Sequence, residues 1–448
     1  MATDRGNARK SAAAAGLVLS LAIGPAFWSC RPRPSVPAKE VEPARKVKTG
    51  LEMLALRPDP ILGKSVGLIT NPSGVDSRLD SSIEVLRRIP GVTLSALYAP
   101  EHGVRGDAQA GEYVPFYFDA KYRLPVFSLY GPSQKPPADM MKNIDAFMRS
   151  FDTTGADKKL EASMTKEIGA LLFDVQDVGT RVYTYAATMA YAMQTCAENG
   201  IPFIVLDRPN PINGQVMEGP ILEYPRFSSF IGLYPIPLRT GMTIGELARM
   251  INGRFLEKKA DLTVIPMEGW SRTMDFEDTG LPWVTTSPNI PTVESAVVYP
   301  GQVLIEGTNV SEGRGTTHPF EFFGAPWIDG FELTARLNAL GLPGVKFREQ
   351  WFTPTFSKFQ GERCGGCQVH ITDRKAYRSV RTALHVITAI RALYPERFAF
   401  HQDYFDKVCG TARVREALLA GKAVDDIVRG FDPDLREFES VRKPFLLY

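Results

Sequence analysis

Four glutamates are the candidates for catalysis, and they lie in the two stretches of this sequence that hold the most residues capable of chemistry. Glu101 lies in residues 98–112, beside a histidine, an arginine, two further acids and several glycines. Glu306, Glu312 and Glu321 lie together in a later glycine-rich segment. Hydrolysis of a glycosidic bond commonly uses two carboxyl groups, one protonated to donate to the leaving oxygen and one ionised. The sequence therefore offers a carboxylate pair of that kind.

Basic side chains flank these glutamates. His102 and Arg314 are placed to shift the pKa values of the carboxyl groups beside them. Guanidinium groups also bind carboxylates through two parallel hydrogen bonds, so the neighbouring arginines indicate a substrate with an acidic group; they are Arg105, Arg181, Arg208 and Arg314. The alternative is that each arginine pairs with a nearby aspartate to brace a loop. We favour that alternative for Arg208, whose neighbour is Asp207, and ligand contact for Arg181 and Arg314.

Short apolar runs alternate with helical segments between residues 50 and 224. The runs predict buried parallel strands at Ser65–Thr70, Val92–Tyr98, Pro125–Tyr130, Ile168–Val175 and Pro202–Leu206. The segments between them predict helices at Ser81–Arg88, Ala138–Arg149 and Tyr183–Asn199. This alternation predicts an α/β domain built on a doubly wound parallel sheet.

The residues that follow each predicted strand are polar. In open parallel sheets, ligands bind outside the carboxyl ends of the strands, so we expect the site at that edge. Together with the later segment, these loops supply the candidate substrate-binding residues. They are Asn71, Arg105, Asp177, Arg181, Tyr183, Arg208, Asn210, Asn309, Arg314 and His318.

Aromatic side chains near these motifs could stack on sugar rings. The candidates are Tyr183, Tyr185, Trp270, Trp283 and Trp327. Aromatic residues are also common in protein cores, and packing is the alternative for most of the five.

Motifs of several other enzyme classes are missing from the sequence. No GxGxxG follows a predicted strand and no GxxxxGK[ST] occurs, which argues against dinucleotide and P-loop nucleotide sites. No HExxH or GxSxG occurs, which argues against the usual zinc and serine hydrolases. We therefore expect neither an organic cofactor nor a metal ion.

Residues 225–448 predict a second, smaller α+β domain. Thr243 is placed to cap a helix that runs to Ile251, and Leu262–Ile265 predicts a strand. Residues 270–327 lack periodicity and predict a long functional loop. Because Glu101 lies before the boundary and the other three glutamates lie after it, we expect the active site in the cleft between the domains.

The N-terminal residues are typical of an export signal. Basic residues precede the apolar stretch Ser11–Ile23, and Cys30 follows it. We expect residues 1–30 to be a signal with Cys30 as a lipidation site, plain secretion being the alternative. The proline-rich residues 31–49 predict a linker. The chain should therefore be exported, either periplasmic or held at a membrane only by a lipid anchor.

The charge and the cysteine content of the chain bear on which ligands it can bind. The chain has 448 residues and a net charge of +2, which gives no electrostatic case for nucleic acid. Cys364 and Cys367 have the spacing of half a zinc site, but no histidine follows at a matching interval. A local disulfide and two structural thiols remain the alternatives for this pair.

At these motifs the chain resembles the bacterial exo-β-N-acetylmuramidases of the NamZ type. The resemblance covers nearly all of residues 50–448. It rests on GLITNPSG (67–74), APEHGVRGDAQAGE (99–112), FDVQDVGTRVYTY (173–185), LDRPNPING (206–214), GLYPIPLRTGMTIGELA (232–248), SPNIPT (287–292) and EGTNVSEGRGTTHPFEFFGAPW (306–327).

The resemblance implies a Rossmann-like domain, a smaller second domain and an active site between them. It also implies release of N-acetylmuramic acid from the non-reducing end of peptidoglycan-derived sugars, whose lactyl carboxylate would suit the arginines. Carried onto this sequence, Glu101 is the best-placed catalytic carboxylate, with His102 beside it. Glu306 or Glu312 is expected to be the second.

Two positions depart from the family pattern. Thr240 stands where histidine is usual, and His318 stands where arginine is usual before PFE. Both are expected to alter the sugar subsite. The alternatives to a glycosidase are a hydrolase of another bond in amino sugars and a non-catalytic lipoprotein that binds cell-wall sugars.

Overall fold

The computed structural model of the chain describes residues 47–131, 134–149 and 167–448. The predicted signal at 1–30, the lipidation site Cys30 and the linker up to residue 46 lie outside the described residues. Within the described residues, no helix has the length and apolar character needed to cross a membrane.

Strands form three sheets in the described chain. In order they are β1 Ser65–Thr70, β2 Thr93–Ala99, β3 Tyr117–Asp119, β4 Leu124–Ser128, β5 Ala170–Asp174, β6 Phe203–Leu206, β7 Glu218–Ile221, β8 Pro237–Arg239, β9 Leu262–Ile265, β10 Phe322–Ala325, β11 Val345–Phe352 and β12 Cys364–Ile371. The largest sheet has seven strands in the order β3-β4-β2-β1-β5-β6-β9. Its pairings are parallel except that of β3 with β4.

Helices connect these strands. They are α1 Gly50–Leu56, α2 Ser82–Arg87, α3 Asp139–Lys142, α4 Ile144–Arg149, α5 Tyr185–Asn199, α6 Ile244–Met250, α7 Val293–Gln302, α8 Gly330–Asn338, α9 Ser379–Leu393, α10 Gln402–Cys409, α11 Arg413–Leu419, α12 Val424–Arg429 and α13 Asp432–Arg442.

The seven-stranded sheet is buried on both faces, as a doubly wound sheet must be. Along β5, Leu171 and Phe173 belong to one apolar cluster, while Ala170 and Leu172 belong to another. Successive side chains of a strand point to opposite faces, so the two clusters cover the two sides. The predicted α/β class is thus confirmed, and continuous apolar runs are its cause.

The smaller antiparallel sheet has the order β10-β12-β11, and β7 pairs with β8. The seventh strand of the large sheet, β9, comes after residue 224, so the sheet draws on both sides of the predicted boundary. The division into domains at 224 and 225 stays a prediction.

Two predicted elements differ from the structure. The helix predicted at 138–149 is wrong as one piece, because Asn143 leaves the helical region at φ −127° and separates α3 from α4. The loop predicted at 270–327 is also wrong, since the segment contains α7 and β10. Thr292 caps α7, and Pro300 lies inside that helix. The prolines of this segment favoured a loop in the sequence analysis, because proline is unfavourable inside a helix. The helix was therefore not predicted.

One buried ion pair fixes the ends of three strands. Arg208, which follows β6, donates from Nε to Asp174 Oδ1 at 2.6 Å and from Nη2 to Oδ2 at 2.9 Å. Its Nη2 also donates to the carbonyl of Val75, after β1, at 2.9 Å. Arg208 is therefore a brace, as favoured above, but its partner is Asp174 rather than the adjacent Asp207.

Replacement of Arg208 by methionine should strongly destabilise the fold, because it leaves the Asp174 carboxylate buried without its cation. Breaking such a pair costs roughly 3–5 kcal/mol. The matched control is Arg88→Met, which removes an ion pair to Asp80 that is largely exposed and should cost at most about 1 kcal/mol. Urea unfolding measures both free energies, and equal losses in the two variants would contradict the bracing role.

Candidate active site

A cavity of about 530 Å³ is lined by the strand-end loops and by the later part of the chain. Glu101 and His102 follow β2, Thr184 precedes α5, and Glu306 and Arg314 come from the segment before β10. Residues from both sides of position 224 line this cavity, and two of the four candidate glutamates are among them. A cavity of this size suits one or two sugar rings in volume.

Glu101 is held at the cavity wall by groups that carry no charge. Its Oε1 accepts from the backbone N–H of Gly111 at 3.0 Å, and its Oε2 accepts from the hydroxyl of Thr184 at 2.6 Å. The hydroxyl of Tyr130 also faces it; burial and then the Glu101 carboxylate raise the pKa of Tyr130 to about 12. The Glu101 side chain is almost fully buried. Its environment thus combines low exposure with neutral donors.

His102 turns the backbone directly after Glu101, with a φ of 73° in the left-handed region. Its Nδ1 lies 2.8 Å from the carbonyl of Ala108, which can only accept, so the proton is on Nδ1 and Nε2 is the acceptor. Burial lowers the pKa of His102, and Arg314 lowers it further, although Glu101 and Ala108 oppose the shift. The imidazole is therefore neutral at physiological pH.

Glu306 lies in the opposite electrostatic setting. Its Oε1 accepts from Arg314 Nε at 2.7 Å and lies 2.6 Å from Arg314 Nη2, and its Oε2 accepts from the Tyr404 hydroxyl at 3.2 Å. Burial would lower the pKa of Arg314, but Glu306 and Glu312 outweigh that effect and raise it. The pair is a fixed unit of opposite charges on the cavity wall.

Glu312 lies behind this wall and not in the cavity lining. Its Oε2 accepts from Lys358 Nζ at 3.1 Å, and its Oε1 lies 3.5 Å from Arg314 Nε. Lys358 also donates to the carbonyl groups of Ile305, Glu306 and Val310. Glu312 thus anchors the segment that carries the other members of the site.

Glu321 and His318 bond to each other away from the cavity lining. Glu321 accepts from Thr292 and Ser295 near the start of α7, and its other oxygen lies 3.2 Å from His318 Nδ1. Thr240, the other departure from the family pattern, is buried and bonds to the backbone of Gly179. Neither departure reaches the residues that line the cavity.

Aromatic rings form one wall of the cavity. Tyr183 packs edge-on against Tyr299, with ring centroids 5.8 Å apart, and Tyr299 packs against Phe320 at 4.7 Å. The guanidinium of Arg314 lies 5.0 Å from the centroid of Phe320. Of the aromatic residues suggested by sequence, Tyr183 lines the cavity, and the other four do not.

Several predicted ligand-binding residues bond to the protein instead. Arg181 donates to four carbonyl oxygens, those of Pro220, Ile236, Val408 and Cys409. Burial lowers its pKa to about 10. The structure places Arg181 outside the cavity lining, where its charge is shared among backbone dipoles.

The remaining arginine and the amide candidates also bond within the fold. Arg105 pairs with Asp119. Asn71 donates to Tyr185 and Thr286, Asn210 donates to the carbonyl of Met242, and Asn309 donates to that of Arg397. None of these four residues lines the cavity.

Sequence reasoning missed three hydroxyl groups at the site, those of Tyr130, Thr184 and Tyr404. Tyr130 ends a predicted strand, and Thr184 lies in the motif at residues 173–185. Only their closeness to a strand end could have indicated that they belong to the site. Tyr404 lies in α10, far along the chain, and no sequence signal links it to Glu306.

Cys364 and Cys367 are free and buried. They are three positions apart on β12, so their side chains point to opposite faces of the sheet; Cys364 packs with Phe322 and Phe352, and Cys367 belongs to the main core. Among the described residues, no group of three or more metal-ligating side chains is suited to hold a metal ion.

Comparisons with known proteins agree on one family. The model of the exo-β-N-acetylmuramidase NamZ N-terminal domain matches residues 66–156 and 148–294, and that of the C-terminal domain matches residues 297–448. The chain is 52% identical over 407 residues to the peptidoglycan β-N-acetylmuramidase NamZ of Bacillus subtilis strain 168, covering 90% of this chain and 92% of the relative.

Two solved structures share the fold, both of DUF1343 family proteins from Bacteroides fragilis NCTC 9343. The first has a TM-score of 0.79 at 38% identity and covers 91% of this chain and 100% of its own. The second has a TM-score of 0.68 at 29% identity and covers 90% and 99%.

Asp177, a predicted ligand-binding residue, generates a prediction about pH. It is buried outside the cavity lining, where its Oδ2 accepts from the N–H of Gly179 at 2.7 Å, and burial raises its pKa to about 7. An unfolded aspartate titrates near 3.9, so the native state binds the proton more tightly. The stability contributed by that proton is complete below about pH 4 and is lost as pH rises through about 7.

Asp177→Asn removes this titration and keeps an acceptor for Gly179. The melting temperature of the variant should therefore rise relative to the unmodified protein between pH 5 and pH 8. Asp80→Asn, the same change at a partly exposed position, is the control and should give a constant difference. A constant difference for Asp177→Asn as well would show that the carboxyl is not protonated in the fold.

Proposed function

Since the chain belongs to the exo-β-N-acetylmuramidase NamZ family and is a glycosidase, we propose that it releases N-acetylmuramic acid from the non-reducing end of peptidoglycan-derived oligosaccharides. In this proposal Glu101 is the acid that protonates the leaving oxygen. Glu306 is the ionised carboxylate that acts on the other side of the scissile bond.

The observation that carries the proposal is the contrast between two carboxyl groups in one cavity. Glu101 is nearly buried and accepts from a backbone N–H and a hydroxyl. Glu306 is in direct contact with the cation of Arg314. Glycosidases assign the acid role and the ionised role to carboxyl groups that differ in this way.

The cavity wall supports the proposed sugar. Tyr183, Tyr299 and Phe320 supply an apolar surface for a sugar ring, and Arg314 supplies positive charge for the lactyl carboxylate that distinguishes muramic acid. Because Thr240 and His318 are not part of the lining, we propose that neither departure changes the preference for this sugar.

Glu101→Gln should abolish hydrolysis of the disaccharide N-acetylmuramyl-β-1,4-N-acetylglucosamine. Glutamine keeps an acceptor for Gly111 but cannot donate the proton, and the loss of a general acid lowers the rate roughly 10²–10⁴-fold. Glu84→Gln, on the surface of α2, is the control and should keep full activity. Product release is measured by chromatography.

Aryl glycosides provide a second test of whether Glu101 donates the proton. A nitrophenyl leaving group needs little protonation, so Glu101→Gln should lose less activity on nitrophenyl β-N-acetylmuraminide than on the disaccharide. The unmodified protein should cleave the muraminide and not the matching β-N-acetylglucosaminide. Equal disaccharide cleavage by Glu101→Gln and the unmodified protein would remove Glu101 from the mechanism.

Glu306 lines the cavity and Glu312 does not, which supports Glu306 as the second carboxylate. Glu306→Gln should lower kcat at least about 100-fold with a small change in melting temperature, because the side chain faces the cavity. Glu312→Gln should lower the melting temperature, because Lys358 loses its charged partner, while the folded fraction keeps kcat within several-fold. The reverse pattern would assign the second carboxylate to Glu312.

A further inference from the structure

The two oxygens of Glu101 have partners of different kinds. Oε1 accepts from the backbone N–H of Gly111, and Oε2 accepts from the hydroxyl of Thr184. A backbone amide can only donate, and its position is fixed by the chain. The threonine hydroxyl is the shorter contact, at 2.6 Å against 3.0 Å, and it belongs to a different segment from Glu101.

Thr184 stands at the start of α5, in the position that a capping residue normally takes. Its carbonyl accepts the first bond of the helix, from the N–H of Thr188 at 2.9 Å. Its side chain makes no capping bond. At the starts of α1, α2, α6, α7 and α8, in contrast, the corresponding Thr, Ser or Asp side chain accepts from an N–H of its own helix. The hydroxyl of Thr184 is committed to Glu101 instead.

Resting on the proposed function, in which Glu101 is the acid, we propose that Thr184 is a positioning residue that orients Glu101 for proton donation. The hydroxyl occupies one lone pair of Oε2 and the amide of Gly111 occupies one of Oε1. The carboxyl group is thereby held in one rotamer against the cavity.

The test is the measurement of kcat and KM on the disaccharide for Thr184→Val and Thr184→Ser. Valine keeps the shape of threonine and removes the hydroxyl. We expect its kcat to fall about tenfold with KM within about twofold, since orientation and not binding is lost. Serine keeps the hydroxyl and should restore kcat.

Thr49→Val is the matched control. Thr49 caps α1 by accepting from the N–H of Glu52, outside the cavity lining. Its replacement should lower the melting temperature and leave kcat and KM of the folded protein unchanged. Thr184→Val should show the opposite pattern, because no helix cap is lost there. If Thr184→Val does not fold, Thr184→Ala takes its place, with serine again the rescue.

The outcomes separate this inference from the proposed function. If Glu101→Gln is inactive and Thr184→Val has an unchanged kcat, the role of Thr184 is overturned and that of Glu101 stands. If serine is as impaired as valine, the methyl packing and not the hydroxyl matters, and the inference also fails. If Glu101→Gln is fully active, Glu101 is not the acid. The proposed function is then wrong in that respect, and the inference about Thr184, which rests on it, is wrong as well.

Discussion

Buried charge must be paired, and this constraint shapes the whole edge of the large sheet. Ionised groups lose far more hydration on burial than an unpaired site can return. Asp174 and Arg208 satisfy each other across two strand ends. Asp207 accepts from the N–H of Gly245 and from the hydroxyls of Thr243 and Tyr448. These partners come from distant parts of the chain, so each pairing also ties a loop in place.

The two carboxyl groups in the cavity lining satisfy this constraint in different ways. Glu306 receives a full positive charge from Arg314, and Lys358 with Glu312 holds the backbone around it. Glu101 accepts from one amide and from the hydroxyl of Thr184, and the hydroxyl of Tyr130 also faces it. Two residues of the same type therefore have partners of different charge. This difference arises from the supporting side chains, since the glutamates themselves are chemically identical.

Local sequence patterns predict most strands of the large sheet well. The strands at Ser65–Thr70 and Leu262–Ile265 match their predicted bounds, because each is a short apolar run that the sequence displays directly. The place of Glu101 follows from the same signal, since it comes directly after a strand. Helix α7 is different: its capping Thr292 is local, but nearby prolines argue against a helix, and packing decides the outcome.

Local sequence patterns do not predict which distant residues pair with each other once the chain has folded. Asp207 is adjacent to Arg208, yet Arg208 pairs with Asp174 because their strands are neighbours in the sheet. Arginines near a polar motif suggest ligand contacts, but a guanidinium can equally bind several backbone carbonyls. Only the tertiary arrangement distinguishes the two uses. Arg314 lines the cavity, and Arg181 does not.

Arg181 nevertheless links the two halves of the site. Two of its four bonds are to the carbonyls of Val408 and Cys409, at the end of α10. A cation at a helix C-terminus is favourable, because the unpaired carbonyls there carry negative charge. One turn earlier, the same helix presents Tyr404 to Glu306.

Three residues after Arg181, the chain presents Thr184 to Glu101. One buried guanidinium therefore fixes both the helix that supports one carboxyl group and the segment that supports the other. The separation of Glu101 and Glu306 depends on this brace. A residue with no contact to the substrate can in this way determine the geometry that the chemistry needs.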